Sequence, residues 1–492
     1  MSAEDIDAVE AKTGLAPYEV AELPEPPRPR GLSWLGVVGP GVIVLGASIG
    51  SGEFLLGPAA FVQYGLTLLW VTTVAAFFQT VFNTELMRYT VATGEPIFTG
   101  FMRTRPNSSV WAWFYATLYF LQVGWPGWAG AAAGAVYFLF ARELAGPEQV
   151  EIVYWIGVAT FGLCVGILLL GRAVERTLEI LNWILVVAIL TGSLILAVMF
   201  VSPSTWFRGL TGMVGYNPGS GSFSFFPPGA DFFLIGAFAA YSGAGGVINL
   251  TLSSWARDKG YGMGKRAGFI PSAVGGERQE LAHSGFRFEP TAQAMERWRG
   301  WWRIIRADQW GVYFLGALLG MFLPAVLYTT FLESGTDIRG LAVAAELAGA
   351  MSTSVGPLFG GAVAMMAVWV LFKTQLDIVE GMARSITDIL WTGSRRARGW
   401  WGGDVRVLYY TVLVSIAIWG VIALRLAQPI VLLQLGANMA GIVFVVSALH
   451  VLYVNTTLLP TELRPPVWRR IALVMMSLFY GVFVTLWLSS LL

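Results

Sequence analysis

The chain has 492 residues, of which 56% are hydrophobic and only 12% charged, against about 25% charged in a soluble domain. That composition reads as a polytopic membrane protein. A formal net charge of +1 and a single cysteine, Cys164, exclude a global field for nucleic acid, an intramolecular disulfide and a cysteine metal cluster.

In chain order, residues 1–33 are acidic and then proline-rich from Leu23 to Arg30. They lack the apolar core of a signal peptide and read as a disordered cytoplasmic tail. Eleven apolar runs follow, at about 34–61, 65–91, 110–140, 151–171, 178–201, 231–255, 308–331, 357–388, 405–427, 430–458 and 467–491. Each has roughly the 20 residues that a span needs. The loops between them alternate in charge. Arg103 and Arg105, Arg172 and Arg176, the loop 256–307, Arg395 to Arg398, and Arg464 to Arg470 fall on one side. The other side offers only Arg142, Arg208 and Arg339. The positive-inside rule then puts the N-terminus in the cytoplasm, and the plasma membrane of a bacterium is the simplest location. Within loop 256–307, the stretch Met295 to Arg303 mixes Trp with Arg and suits a helix lying at a membrane interface. The outer loop 202–230 is rich in Gly, Pro, Ser and Phe. A lid and a simple connection both fit it.

Two runs carry helix breakers near their middle. Ala47-Ser48-Ile49-Gly50-Ser51-Gly52-Glu53 lies in the first run, and Tyr241-Ser242-Gly243-Ala244-Gly245-Gly246 in the sixth. A broken helix is tolerated at membrane depth only where it is buried in protein or lines a cavity. Two such breaks in corresponding halves point to the binding site of a secondary transporter. Leu45-Gly46-Ala47 before one break is echoed by Ile235-Gly236-Ala237 before the other. An offset of five spans makes 34–201 and 231–458 an inverted-topology pair, with 459–492 as an additional span.

Glu53 is the foremost candidate, because a carboxylate inside an apolar span is costly and faces a cavity or a partner. It suits a cation ligand or a proton carrier, and equally a cap on a half-helix. Gly50, Ser51 and Gly52 offer backbone groups beside it. Tyr241, Ser242 and Gly243 offer a ring, hydroxyls and backbone on the sixth run. In the eighth run Lys373, Gln375, Asp377 and Glu380 stand together. Lys373 and Asp377, four apart, share a face and suit an ion pair; Asp377 and Glu380 also suit an ion path. Glu85 and Arg88 suit a structural pair. Tyr119, Gln122, Trp125, Gln434 and Asn438 fit interhelical hydrogen bonds. His450 is placed to titrate near neutrality. There is no nucleophile–base set, phosphate loop or metal motif, and no cofactor is implied.

Gly39-Pro40-Gly41, the break eight residues later, Gln63-Tyr64-Gly65 and Leu69-Trp70 together resemble the start of the Nramp (natural-resistance-associated macrophage protein) metal-transporter family. The Gln375 to Gly381 spacing is similar to that family too. The resemblance implies an all-α LeuT-type fold of the amino acid–polyamine–organocation superfamily, with spans one and six broken, and proton-linked uptake of divalent metals. The family's Asp-Pro-Gly-Asn falls on Gly50, Ser51, Gly52 and Glu53. Its Met-Pro-His-Asn falls on Ala240, Tyr241, Ser242 and Gly243. Without the thioether the site loses its match to soft ions. Glu53 as metal ligand would leave a sparse oxygen site suited to Mg or Mn with retained waters. Ile49 to Glu53 also resembles the Gly-Ser-Gly break of amino-acid carriers in the same superfamily, where half-helix N–H groups bind a carboxylate. The expectation is a proton-coupled carrier of a hard divalent cation in a lipid bilayer. A carrier of an amino acid or small organic acid, and a non-transporting sensor with the same fold, stand as alternatives. Nucleic acid is not expected as a partner, and the oligomeric state is left open.

Overall fold

The computed structural model describes residues 14–170, 174–267, 285–338, 340–399 and 404–491. The first thirteen residues of the expected tail, and Arg172, Arg278, His283 and Arg339, lie outside the described residues.

Among the described residues nine helices are long and apolar enough to cross a membrane. They are span 1 (Pro40–Tyr64), span 2 (Leu66–Thr93), span 4 (Pro147–Leu169), span 5 (Glu179–Phe200), span 7 (Ala292–Phe331), span 8 (Pro357–Gly393), span 9 (Val405–Ala423), span 10 (Pro429–Thr457) and span 11 (Val467–Ser489). Two more crossings come in halves. Span 6 is Phe232–Tyr241 plus Val247–Asp258. Span 3 is Ser108–Val123 plus Gly127–Ala141. The interruption of span 3 was not expected. Gly124-Trp125-Pro126 stands at the joint, and Pro126 has no N–H to continue the helical ladder.

Span 6 breaks as expected. Gly243, Gly245 and Gly246 have φ of +125°, +85° and +50°, a region open to glycine at little cost. Span 1 departs from the expected break. Its helix runs on through Ile49–Leu56 as a π-helical segment, so the chain widens without unwinding. Its glycines serve approach instead. A Cβ on Gly52 would fall on the Tyr241 carbonyl, and one on Gly50 would fall on the Thr374 hydroxyl. Span 1 is therefore pressed directly against spans 6 and 8, and its apolar stretch is wholly buried. Spans 4, 5 and 9 turn residues such as Leu163, Val198 and Ile418 outward, the dress of a lipid-facing wall. The protein is an integral membrane protein.

The loops sort the molecule into two ends. Among the described residues, the N-terminal segment and parts of the loops after spans 2, 6 and 10 share one end, here the basic face: Glu19 pairs with Phe286, Met263 N donates to the Val91 carbonyl, and Arg88 Nη1 donates to the Leu463 carbonyl. On the opposite face loop 202–230 is ordered. It holds a helix, Pro203–Gly212, and a short antiparallel pair, Tyr216–Asn217 with Ser222–Phe223. Phe225 and Phe226 pack edge-on against Trp70 of span 2. Beneath this loop a cavity of about 180 Å³ is lined by Tyr64, Gly65, Arg208, Tyr216, Asn217 and Ser334.

On the basic face two expectations are corrected. The tail is docked rather than disordered from residue 16 on. Glu19–Val20 pair in parallel with Phe286–Arg287, and Leu23 is fully buried. The Trp–Arg stretch does form a helix, Ala292–Arg306, but its rings face protein rather than lipid. Trp298 and Trp301 are buried, and the Arg88 and Arg469 guanidiniums lie 4.2 and 5.0 Å over Trp302.

Candidate functional site

The middle of span 1 and the loop of span 6 meet at Gly52 and Tyr241. One residue on, the Glu53 carboxylate is completely enclosed. Ser48 Oγ, one turn back, donates to Oε1 at 2.5 Å. The other oxygen, Oε2, has no hydrogen-bond partner among the described residues. Span 7 makes room here, since Gly320 faces the carboxylate and a Cβ on it would lie 3.5 Å from Glu53 Cδ. Burying a carboxylate oxygen without a partner is costly, so an incoming cation or proton gains here; Asp377 and Glu380 also bury one unpartnered oxygen each, but each already has a cation on its other oxygen.

Two glutamines hold the loop of span 6 open. From span 2, Gln79 Nε2 donates to the Ser242 carbonyl at 3.2 Å and to Tyr480 Oη at 2.9 Å. The Tyr313 hydroxyl of span 7 donates to Gln79 Oε1 at 2.8 Å and accepts from Ala244 N at 3.3 Å. From span 3, Gln122 Nε2 donates to the Gly245 carbonyl at 2.9 Å, and its Oε1 accepts from Val247 N at 2.8 Å. The second half of span 6 begins at Val247, where N–H groups have no helical acceptor. Gln122 thus stands in for one missing turn.

Of the expected substrate residues, Gly50, Gly52, Glu53, Tyr241 and Gly243 come together. The backbone of Ser51 lies in the same π segment. The Ser242 hydroxyl turns away, donating to the Phe238 carbonyl at 2.9 Å and lying 3.3 Å from Thr72 Oγ1. Gln375 Oε1 accepts from Ala129 N at 3.1 Å, so it secures the start of the second half of span 3. The neighbouring Trp128 stacks on Tyr241, ring centres 6.2 Å apart, and its indole N–H has no partner among the described residues.

The expected ion-path carboxylates lie apart from Glu53 and are paired. Lys373 donates to Asp377, and both are buried. Glu380 accepts from Arg384, whose Nη1 also reaches Asp258 at 2.8 Å. Arg257 links Asp258 at 2.8 Å to Asp388 at 2.9 Å, closing a chain of five charges between spans 6 and 8, of which Arg257, Glu380 and Arg384 are buried. Glu85 and Arg88 pair at 2.7 Å as expected, and Arg469 joins them. His450 is fixed rather than poised. Its Nε2 and Nδ1 lie 2.9 Å from Thr104 Oγ1 and Tyr115 Oη, and its ring stacks on Phe101.

The sequence reasoning passed over Gln79, Tyr313 and Tyr480. Gln79 had a signal, an amide inside an apolar run. The two tyrosines had none, because a tyrosine in a span reads as packing. Among the described residues no group of three His, Cys, Asp or Glu is placed to hold a metal ion. An ion here would be met by one carboxylate and neutral oxygens.

Neither a protein-family profile nor a curated protein matches the sequence. Solved structures do match. A manganese transporter of Eremococcus coleocola, crystallised with an aromatic bis-isothiourea compound, is 13% identical at a TM-score of 0.59, over 99% of this chain and 91% of that one. Two variants of the same transporter match at 12% identity with TM-scores of 0.61 and 0.62, over 100% of this chain and 91% of theirs. Spans 1 to 11 therefore share, along the whole chain, the LeuT-type fold of those manganese transporters.

Proposed function

We propose that the protein is a secondary active transporter that carries a small cation past Glu53. The observation that carries this reading is the enclosed Glu53 carboxylate, with one oxygen unpartnered beside the broken span 6. The first reading of the cargo is a hard divalent ion, Mg or Mn, moved with a proton as the coupling ion. One carboxylate and a few neutral oxygens suit an ion that keeps several waters. They do not supply the soft donors that select later transition metals. The fold shared with manganese transporters supports this assignment.

A second reading is favoured by the Trp128–Tyr241 pair and the lack of a multi-carboxylate group. An amino acid carries an ammonium group that Glu53 and the aromatic faces attract, and a carboxylate that half-helix N–H groups attract. The deciding experiment is a thermal-shift series on purified protein with Mg, Mn, Ca and a panel of amino and organic acids, repeated on Glu53→Gln. A ligand held at 100 times its Kd stabilises the folded state by about 2.7 kcal/mol. A shift with Mg or Mn that disappears in the variant supports the metal cargo. A shift confined to amino acids moves the assignment to the second reading. Proton coupling is checked by uptake into liposomes across a pH step, with the pH dependence expected to vanish in Glu53→Gln.

A further inference from the structure

The N-terminal segment is bound at two places, the segment that follows span 2 and the helix at the head of span 7. At its first end, the Ala16 carbonyl accepts from Arg103 Nη1 at 2.9 Å, and Tyr18 Oη lies 2.8 Å from Tyr89 Oη of span 2. Arg103 and Arg287 lie 4.1 and 4.8 Å over the Tyr18 ring. Arg103 follows the short helix Ile97–Met102, whose Phe101 packs on Tyr115 of span 3 and His450 of span 10. At its other end, the Leu23 carbonyl accepts from Arg297 Nη1 and the Pro24 carbonyl from Trp301 Nε1, both at 2.8 Å. Arg297 and Trp301 sit on the helix that leads into span 7. Between the two ends, Glu19 N and Ala21 N donate to the Gly285 and Arg287 carbonyls at 2.9 and 2.8 Å.

We propose that residues 16–26 form a clasp that holds the basic face shut. It joins the segment between spans 2 and 3, seated on spans 3 and 10, to the head of span 7, on the face by which a cargo would leave on this side. Beneath it, the start of span 1 rests on the same neighbours. Asp308 of span 7 accepts from Gly39 N and Gly41 N at 2.9 and 2.8 Å, and Tyr261 donates to the Val37 carbonyl at 2.6 Å. The clasp is also releasable. Leu23 is its single fully buried anchor. Its acidic contacts to Arg297, from Glu22 at 3.3 Å and Glu25 at 3.7 Å, are made by side chains that are 83% and 76% exposed. Salt screens such pairs, so ionic strength or a basic partner would loosen it.

The inference rests on the transporter reading, and its test is independent of transport. In a full-length Cys164→Ala background, Val42→Cys places one buried thiol in the first half of span 1. Maleimide labelling is then timed well below Tm. Leu23→Asp and, as a gentler surface change, Arg297→Ala are expected to speed labelling at least about fivefold, and raised salt is expected to speed it in the parent. Labelling at the parent rate in Arg297→Ala and in raised salt overturns the clasp, as does a fall in Tm with no change in labelling. A lock gives the opposite sign. A Cβ built on Gly300 lies 3.2 Å from Pro26 Cβ, near the roughly 3.8 Å of a disulfide. Oxidised Pro26→Cys/Gly300→Cys protein is expected to lose most cation uptake into liposomes and to regain it on reduction. Uptake absent from the parent would count against the transporter reading alone, and labelling would still decide the clasp.

Discussion

Gly52 and Gly50 occupy the same π turn, yet substitution there has different consequences. A methyl group on Gly52 meets the Tyr241 backbone carbonyl, which cannot move without closing the loop of span 6. One on Gly50 meets the Thr374 side chain, which has some freedom. Overpacking costs typically 1–3 kcal/mol, and more where backbone must give. Gly52→Ala is expected to sit at or above the top of that range and Gly50→Ala near the bottom, read as ΔTm and as uptake. Equal effects would mean that span 1 can retreat from span 6 as readily as from span 8. At this scale Glu53 and the glycines stand out in the sequence, because a charge or a breaker inside an apolar run violates the pattern of its surroundings. Gln375 meets the Ala129 N–H. An amide in a span announces a polar partner without saying whether that partner is a ligand or a bare helix end.

Helical elements were legible from hydropathy, and their ends were less so. The halves of span 6 follow from glycines that no other residue replaces at positive φ. Continuity of span 1 did not follow, because a π segment uses helix-compatible dihedrals and leaves no composition mark. The joint of span 3 was marked by Gly124 and Pro126 and passed over within a long apolar run. Docking of residues 16–26 was hidden for another reason. A proline-rich, acidic stretch lacks a core of its own, and its order comes from Arg103, Arg297 and Trp301, which are far along the chain. The start of span 1 shows how such long-range contacts fix an element. Its first N–H groups are capped by Asp308, a carboxylate on a helix N-terminus. Asp308→Asn keeps the shape and removes the charge. It is expected to cost about 0.5–2 kcal/mol, seen as a lower Tm with the helical circular dichroism unchanged. An unaltered Tm would mean that the start of span 1 is held without it, by Tyr261 and by Lys259, whose Nζ donates to the Val38 carbonyl at 3.4 Å.

Across the whole molecule, charge is distributed unevenly between burial and exposure. The chain Arg257–Asp258–Arg384–Glu380 lies between spans 6 and 8 with its side chains enclosed, and the partly exposed Asp388 ends it. The pair Arg425–Glu151 on the opposite face is more than half exposed. Breaking a buried pair costs about 3–5 kcal/mol because a charge is left alone, whereas an exposed pair contributes about 0–1 kcal/mol. Arg384→Leu is therefore expected to impair folding severely. Arg425→Ala is expected to leave Tm within a few degrees. Similar Tm values for the two would show that water reaches the buried chain.

The two halves of this fold meet near Glu53 with unlike joints. Span 6 has an open loop, pinned by two glutamines. Span 1 has a wide turn inside an unbroken helix. A wide turn is a register fault, and such a fault can travel. Converting one of its hydrogen bonds to the ordinary α-helical pattern moves the fault along the chain, and each residue it passes turns by up to about 100° around the axis. Glu53 lies within that segment. Such a shift in span 1 would turn its carboxylate toward different neighbours by screw motion, with every backbone group kept inside a helix.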